Sequence, residues 1–279
     1  MIPILMYHQV AEIPRSLDPV GLAVSPAQFE RQMSYLAHKG YQCLSLGEAV
    51  EHIRARKNAP ARSFVLTFDD GYQNILLNAC PILEKFGFTA TVFLVAGQMG
   101  SLSSWRGQDG DLSGQLLSWD EAGELARRGF TLGSHTLNHC FLNRLDDASA
   151  FEEIRNSRML LQDRLQISVD FLSYPFSRTD ARVERLVEAA GYTAACAGDS
   201  GPWDLFHLWR VPCGRNDTIL SFSLKASGWY DKRTALRESG AGLFLRRSVR
   251  MIRRRLPGYH PPKASLLSHN SGRDAERDK

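Results

Sequence analysis

The sequence predicts an α/β domain, a parallel sheet flanked by helices, at a size that α/β barrels commonly reach. Three observations carry that expectation. Strand-like and helix-like segments alternate along the chain, which puts a parallel sheet inside and helices outside. The strand-like runs, such as Phe64 to Phe68, are short, rich in β-branched and aromatic residues, and apolar at successive positions, as in strands covered on both faces. The residues able to do chemistry, Asp69, Asp70, His135 and His139, each follow such a run, at the strand end where parallel barrels build their active sites.

Residues 2–7 read as the first strand and residues 9–24 as loop. Ser25 before Pro26 opens a helix, a capping hydroxyl followed by proline at the first helical position. Phe29, Met33, Leu36 and Ala37 give that helix one apolar face, and Gly40 ends it just after His38. A second helix covers Leu46 to Arg56. Beyond the strand ending at Phe68, a helical pattern runs from Gln73 to Phe86, and Pro81 must kink it or shift its register. The strand Thr89 to Val95 leads into a Gly-, Ser- and Asp-rich loop from Gly97 to Gly114 that holds Trp105; long loops of this kind in compact domains are usually functional. Ser118-Trp-Asp-Glu121 is a capping box, opening a helix that ends at Gly129. The histidine-bearing strand comes next. Then follow a helix from Asp147 to Leu165, a strand from Val169 to Tyr174, a helix from Asp180 to Ala190 stopped by Gly191, and strands at Tyr192–Cys196 and Trp209–Pro212.

The hydrophobic share of 43% is ample for a large core, and no run of 18 apolar residues signals a membrane-spanning helix. Met1-Ile-Pro-Ile-Leu-Met-Tyr-His8 lacks the charged start and long apolar stretch of a signal peptide. Five scattered cysteines, at 43, 80, 140, 196 and 213, read as reduced thiols, so a cytoplasmic protein is expected. The net charge of +4 conceals a division: residues 1–230 carry 21 Lys/Arg against 25 Asp/Glu, and residues 231–279 carry 13 against 5. The catalytic region therefore offers no nucleic-acid surface. In the basic tail, apolar positions 244, 245, 249, 252 and 256 share a helical face among arginines. That pattern fits peripheral contact of residues 243–256 with an anionic membrane at its inner face, and equally an amphipathic helix packed on the domain. From Pro257 onward the composition is that of a disordered segment. The expected organisation is a catalytic domain over 1–230 and a basic helix with tail over 231–279.

Two carboxylates at the end of a buried strand need a cation or a proton to offset their charge, and Gly71 lets the chain turn sharply away. Asp-Asp-Gly is also ordinary turn chemistry. His135 and His139, four residues apart, are expected on one face of a helical turn, where both imidazoles can hold one cation. With Asp70 they form a three-ligand set that leaves a position for water, the layout of a catalytic zinc rather than a structural one.

Thr67-Phe-Asp-Asp-Gly71 followed by Ser134-His-Thr-Leu-Asn-His139 resembles the NodB-homology polysaccharide deacetylases, carbohydrate esterase family four, whose first two motifs are T-F-D-D-G and H-[ST]-x-x-H. The resemblance implies an irregular (β/α) barrel of about seven parallel strands. It also implies one divalent metal per chain, Zn²⁺, on Asp70, His135 and His139, with Asp69 as the base. Ser173-Tyr-Pro-Phe176 resembles the third motif, R-x-P-[YF], which puts the Phe176 N–H at the oxyanion. Ser173 stands where that motif has arginine; Arg210 or Arg178 could replace it as partner of the catalytic carboxylate, and each fits a solvated or structural arginine equally well. The family's general acid comes from an L-x-x-H motif near the C-terminus. Here Leu5-Met-Tyr-His8 fits that pattern at the front, resembling permuted members that carry M-Y-H there, and His8 is the candidate acid, with His207 next in line. Tyr174, Trp105 and Trp203 are candidate substrate contacts, and Trp209 a further stacking platform. The implied function is metal-dependent removal of acetyl groups from an N-acetylated sugar or polysaccharide. A hydrolase of a non-sugar amide or O-acetyl ester, and non-catalytic glycan binding on the same scaffold, are the alternatives.

Overall fold

The computed structural model describes residues 2–103, 113–198 and 204–228. Trp105, Trp203, the basic segment 243–256 and the tail beyond it lie outside the described residues. In chain order the elements are β1 (Ile4–Tyr7), β2 (Gln9–Val10), β3 (Ala23–Val24), α1 (Pro26–His38), β4 (Gln42–Cys43), α2 (Leu46–Arg54) and β5 (Ser63–Phe68). They continue with α3 (Cys80–Lys85), β6 (Thr91–Leu94), α4 (Trp119–Arg127), β7 (Thr131–Ser134), α5 (Asp147–Leu165) and β8 (Phe171–Ser173). Last come α6 (Ala181–Ala189), β9 (Ala194–Cys196), β10 (Val211–Pro212) and α7 (Ile219–Ala226).

Seven parallel strands run in the order β10-β1-β5-β6-β7-β8-β9, with β4 added beside β5. The stretch between β9 and β10 joins the two ends of this path. Leu208 bridges Cys196 next to β9, and Val211 pairs with Leu5 of β1. The result is the irregular α/β barrel expected from the sequence.

The apolar runs split by parity, as a strand's two-residue period requires. Ile4, Val65, Phe93, Phe171, Ala194 and Leu208 form one buried cluster, the filling of the barrel. Their strand neighbours Leu5, Leu66, Val92, Leu132, Leu172 and Ala195 belong to a second cluster shared with the helices. Side-chain caps set the helix starts. Ser25 accepts from the Gln28 N–H, and reciprocal capping boxes form at Ser45/Glu48 and Ser118/Glu121.

Four local readings are adjusted. The register shift expected near Pro81 takes the form of a widened π-helical turn, Ile75–Ala79, after which α3 resumes with Pro81 at its second position. The stretch 9–24 contains the short β2–β3 ladder. That ladder is organised by Asp18, whose carboxylate accepts the N–H groups of Gly21, Leu22 and Ala23 and pairs with Arg215 at 2.6 Å. A single aspartate gathering the N–H groups three to five residues ahead of it leaves no periodic signal. Helix α7, unmarked by its serine-broken pattern, is capped by Thr218 and seats Phe222 against Tyr35 of α1. Apart from β5, which begins one residue earlier at Ser63, the strands are shorter than their expected runs, because the outer residues pass into loops. Among the described residues no helix is long and apolar enough to cross a membrane, and all five cysteines are free thiols.

Gly97 follows β6 and marks a close backbone crossing. Its N–H donates to Leu137 O at 2.8 Å, and a Cβ there would stand 2.6 Å from that same oxygen. Backbone cannot step aside as a side-chain tip can. Gly97→Ala is therefore expected to lower the unfolding free energy by about 1–3 kcal/mol, read from urea titration, as overpacking does. An unchanged midpoint would show that the crossing relaxes freely.

Candidate active site

The inward-facing parity that fills the barrel turns polar at the C-terminal strand ends. Val65, Thr67 and Asp69 alternate along β5 and beyond it; so do Gly133 and His135, Phe171 and Ser173, Leu208 and Arg210, and Ile4, Met6 and His8. The site is thus the top layer of the barrel filling, and each polar side chain there needs a partner.

Arg210 supplies the main one. It is fully buried, and its Nη1 and Nη2 donate to Asp69 Oδ1 and Oδ2 at 2.6 and 2.7 Å, a bidentate pair. Nη2 also donates to Ser173 Oγ at 2.9 Å and Nε to Ala197 O at 3.1 Å. Of the two arginines considered from the sequence, Arg210 occupies the position, and Arg178 is exposed. Ser173 leaves room for the guanidinium and accepts one of its protons. Burial pushes the Asp69 carboxyl upward, but Arg210, helped by His135 and His8, holds it below the usual carboxylate range. Asp69 is an ionised, nearly dry acceptor.

Asp70 would point to the opposite side of an extended strand. Left-handed backbone at Asp70 (φ 73°) and Gly71 (φ 72°) turns it back. Asp70 Oδ1 lies 3.3 Å from both His135 Nε2 and His139 Nε2, all three side chains are buried, and their ligand atoms fall within 4.8 Å of one another. Burial opposes its ionisation, yet the two imidazoles, when each carries a proton on Nε2, hold its carboxyl well below the usual range by their hydrogen bonds.

The donor set fits a divalent cation. His135 Nδ1 is 2.7 Å from Ser173 O, a carbonyl that can only accept, so the proton of the neutral ring belongs on Nδ1. Nε2 then presents a lone pair to a carboxylate oxygen, an arrangement that a cation between them satisfies. The Cys140 thiol beside His139 is pushed up to about 12 by burial and by the Glu153 charge, and it is not among the three residues whose ligand atoms converge.

The histidines do not sit on a helical turn. Residues 135–140 form an open loop with left-handed backbone at Thr136 (φ 66°) and His139 (φ 56°), which reaches the same convergence by a different path. Phe176 also has left-handed backbone (φ 58°). Its ring stacks on Phe141 at 3.9 Å and meets the His139 ring at 4.6 Å. Phe141 went unnoticed in the sequence, where nothing links two aromatics so far apart.

His8 ends β1 beside Asp69, whose N–H donates to Tyr7 O at 3.0 Å, and its charge acts on both aspartates. His8 Nδ1 is buried without a hydrogen-bond partner among the described residues. His207 is engaged elsewhere, 2.6 Å from Glu184 of α6. Tyr174 is corrected: its parity is opposite to Ser173, it is fully buried, and its hydroxyl donates to Phe206 O at 2.9 Å, so it presents no surface to a substrate. Trp209 is likewise buried.

Removing one partner of the Asp69–Arg210 pair strands a buried charge. Arg210→Ala is expected to lose about 3–5 kcal/mol of unfolding free energy, and the double change Arg210→Met with Asp69→Leu to recover most of it. Equal losses in the single and double variants would show that the pair does not carry the effect.

Comparison with known proteins agrees with this geometry. The polysaccharide deacetylase family profile matches residues 56–195, half of the chain and the part that holds both motifs. The Bacillus subtilis (strain 168) protein YxkH, assigned to the polysaccharide deacetylases, is 29% identical over 220 residues, covering 76% of this chain and 72% of that one. The Escherichia coli (strain K12) poly-β-1,6-N-acetyl-D-glucosamine N-deacetylase is 30% identical over 138 residues, 48% of this chain but only 20% of that longer protein. The fold is shared with the Streptococcus pyogenes deacetylase PplD in complex with acetate, at a TM-score of 0.70 and 23% identity over 81% of this chain and 97% of that one. With the family's residues gathered at adjoining strand ends, the chain belongs to the polysaccharide deacetylase family.

Proposed function

We propose that this chain is a metal-dependent N-deacetylase of an N-acetylated glycan, and that Asp69, His8, Phe176 and Arg210 serve its catalysis while Asp70, His135 and His139 hold the metal. One observation carries the reading: two neighbouring carboxylates share a buried mouth with different partners. Asp69 spends both oxygens on Arg210, and Asp70 offers one oxygen to two imidazoles.

A divalent cation on the three ligands, Zn²⁺ by its nitrogen and carboxylate donors, supplies Lewis acidity toward the acetyl carbonyl and lowers the pKa of water toward about 7. The protein's own groups do the rest. Arg210 keeps Asp69 ionised and fixed, and a carboxylate with four lone-pair sites still has room to take the proton of the attacking water. The Phe176 N–H, set by its left-handed backbone, donates to the developing oxyanion. His8, when protonated, gives its proton to the amine nitrogen as the C–N bond breaks, so acetate and a free amino sugar leave. The front position of His8 is read as a permutation: β1 lies between β5 and β10, so a residue at its end reaches the same mouth as one arriving from a last strand. Poly-β-1,6-N-acetyl-D-glucosamine, the substrate named for the Escherichia coli relative, is the first polymer to assay.

Acetate release from N-acetylglucosamine oligomers is the direct test, with and without chelator; activity that survives thorough chelation would overturn the reading. Asp69→Asn should keep the metal and lose turnover, and Asp70→Asn should lose metal affinity, both followed by metal content and rate. Equal metal loss in the two would make Asp69 a ligand instead of the base.

His8→Ala should lower kcat about 10²- to 10⁴-fold, the usual worth of general acid catalysis, with metal content and unfolding midpoint near wild type. Full turnover in that variant would remove His8 from the mechanism.

A further inference from the structure

The histidine loop contains no regular secondary structure, so its backbone donors must be accounted for one by one. Five consecutive N–H groups all have partners. His135 N donates to Leu94 O at 2.8 Å, Thr136 N to Ser134 Oγ at 3.1 Å, and His139 N to Thr136 Oγ1 at 3.0 Å. The middle two, Leu137 N and Asn138 N, both donate to one oxygen, Glu153 Oε2, at 3.1 and 2.9 Å. The other oxygen, Glu153 Oε1, accepts the Asn138 side-chain amide at 2.6 Å. One carboxylate on α5 therefore holds three donors of the loop.

The same helix grips the loop's base. Ser157, four residues on and thus on the same helix face, is fully buried with its Oγ 2.7 Å from Ser134 Oγ, the atom that accepts Thr136 N–H. On the opposite side, Ala96 N and Gly97 N donate to Thr136 O and Leu137 O at 3.1 and 2.8 Å. The loop lies between α5 and the turn after β6. It has two left-handed residues, Thr136 and His139, a conformation that persists only where surroundings enforce it. Among the described residues that accept the loop's backbone N–H groups Glu153 is the one charged group, and it binds the two residues between the left-handed positions.

We propose that Glu153 is a positioning residue for the metal site: by clamping the Leu137 and Asn138 amides it fixes the left-handed turn that brings His139 Nε2 onto the same Asp70 oxygen as His135. It touches no ligand itself and acts through the backbone. The inference rests on the metal reading above. It assigns a role to a helix that carries no motif residue.

The test measures Zn²⁺ and Co²⁺ affinity by titration, together with amide hydrogen exchange of the metal-free protein. Glu153→Ala should weaken metal binding about 10- to 100-fold, the range for groups that support ligands from behind. Leu137 and Asn138 should exchange faster in its metal-free form. Glu153→Gln, which keeps one acceptor oxygen, should fall between Glu153→Ala and wild type. Glu152→Ala removes the same charge one residue away on an exposed position and should bind metal as wild type does. Unchanged affinity and exchange in Glu153→Ala would overturn the clamp, as would equal weakening in Glu152→Ala, which marks a plain charge effect. If Glu153→Ala does not fold, Glu153→Gln decides by the same two readouts. A wild-type protein that binds neither ion would sink the metal reading first, a result separable from wild-type binding that Glu153→Ala leaves intact.

Discussion

The interaction on which the rest of the site depends is the bidentate pair between Asp69 and Arg210. A guanidinium with no exposure and a carboxylate almost without it cannot stay charged in a barrel interior unless each answers the other. Their contact joins the end of β5 to the stretch that closes the barrel between β9 and β10. It therefore ties an inner strand of the sheet to its closing segment at the level where the chemistry would occur. Phe93 lies beneath, its ring centroid 5.7 Å from the Arg210 guanidinium, and Cys196 stands beside it as a buried neutral thiol pushed up to about 12 by that burial. Below this layer the filling is apolar apart from threonines such as Thr67, whose Oγ1 donates to Leu5 O; at this layer it is polar, and Asp69, Asp70, His135 and Arg210 each have a partner.

Specification is obtained by bending the backbone. Of eight non-glycine residues with positive φ among those described, four belong to the site: Asp70, Thr136, His139 and Phe176. Each such residue costs on the order of 1–3 kcal/mol where it is not locally relieved. Regular strands deliver side chains alternately in and out, so a site made only of strand residues could use one position in two. The left-handed steps break that parity: they recover Asp70 next to Asp69, and His139 next to His135. The tight fit of Gly97 against Leu137 O belongs to the same scheme, since it lets a second loop brace the first.

This also decides what could be read from the sequence. The end of β5, the two motifs and the capping box at Ser118 are local patterns, and each is where the sequence puts it: Ser118 and Glu121 bond reciprocally, and Asp70, His135 and His139 converge. Arg210 could be named but not chosen over Arg178, because the choice depends on how the barrel closes some 140 residues away from Asp69 in the chain. Tyr174 was misplaced for a reason that parity supplies: if Ser173 faces inward, its neighbour faces the helices. The helical turn assigned to His135 and His139 failed differently. A spacing of four residues fits a helix, but it equally fits a loop with two left-handed corners, and only the hydrogen-bond partners of its amides distinguish them. Glu153 and Asp18, which organise loops through their carboxylates, leave no periodic trace at all.

The adjacency of Asp69 and Asp70 shows how such a fold separates two identical groups. Both are nearly buried and both are held ionised, but by different means: one by a permanent cation that cannot lose its proton, the other by imidazoles whose nitrogens can exchange a proton for a metal. Arginine is the only side chain that keeps its charge through any change of pH or ligand the site would meet, so the carboxylate beside it remains an acceptor throughout. Histidine is the side chain that can give up its proton near neutrality, so the carboxylate beside it is free to become part of a ligand set. On the proposed reading, exchanging the partners would set Asp69 against the imidazoles and lock Asp70 in an ion pair. The division of labour between neighbouring residues thus follows from which cation the barrel brings to each, and the chain secures it by sending Arg210 inward from the closing segment and the histidines in from a loop.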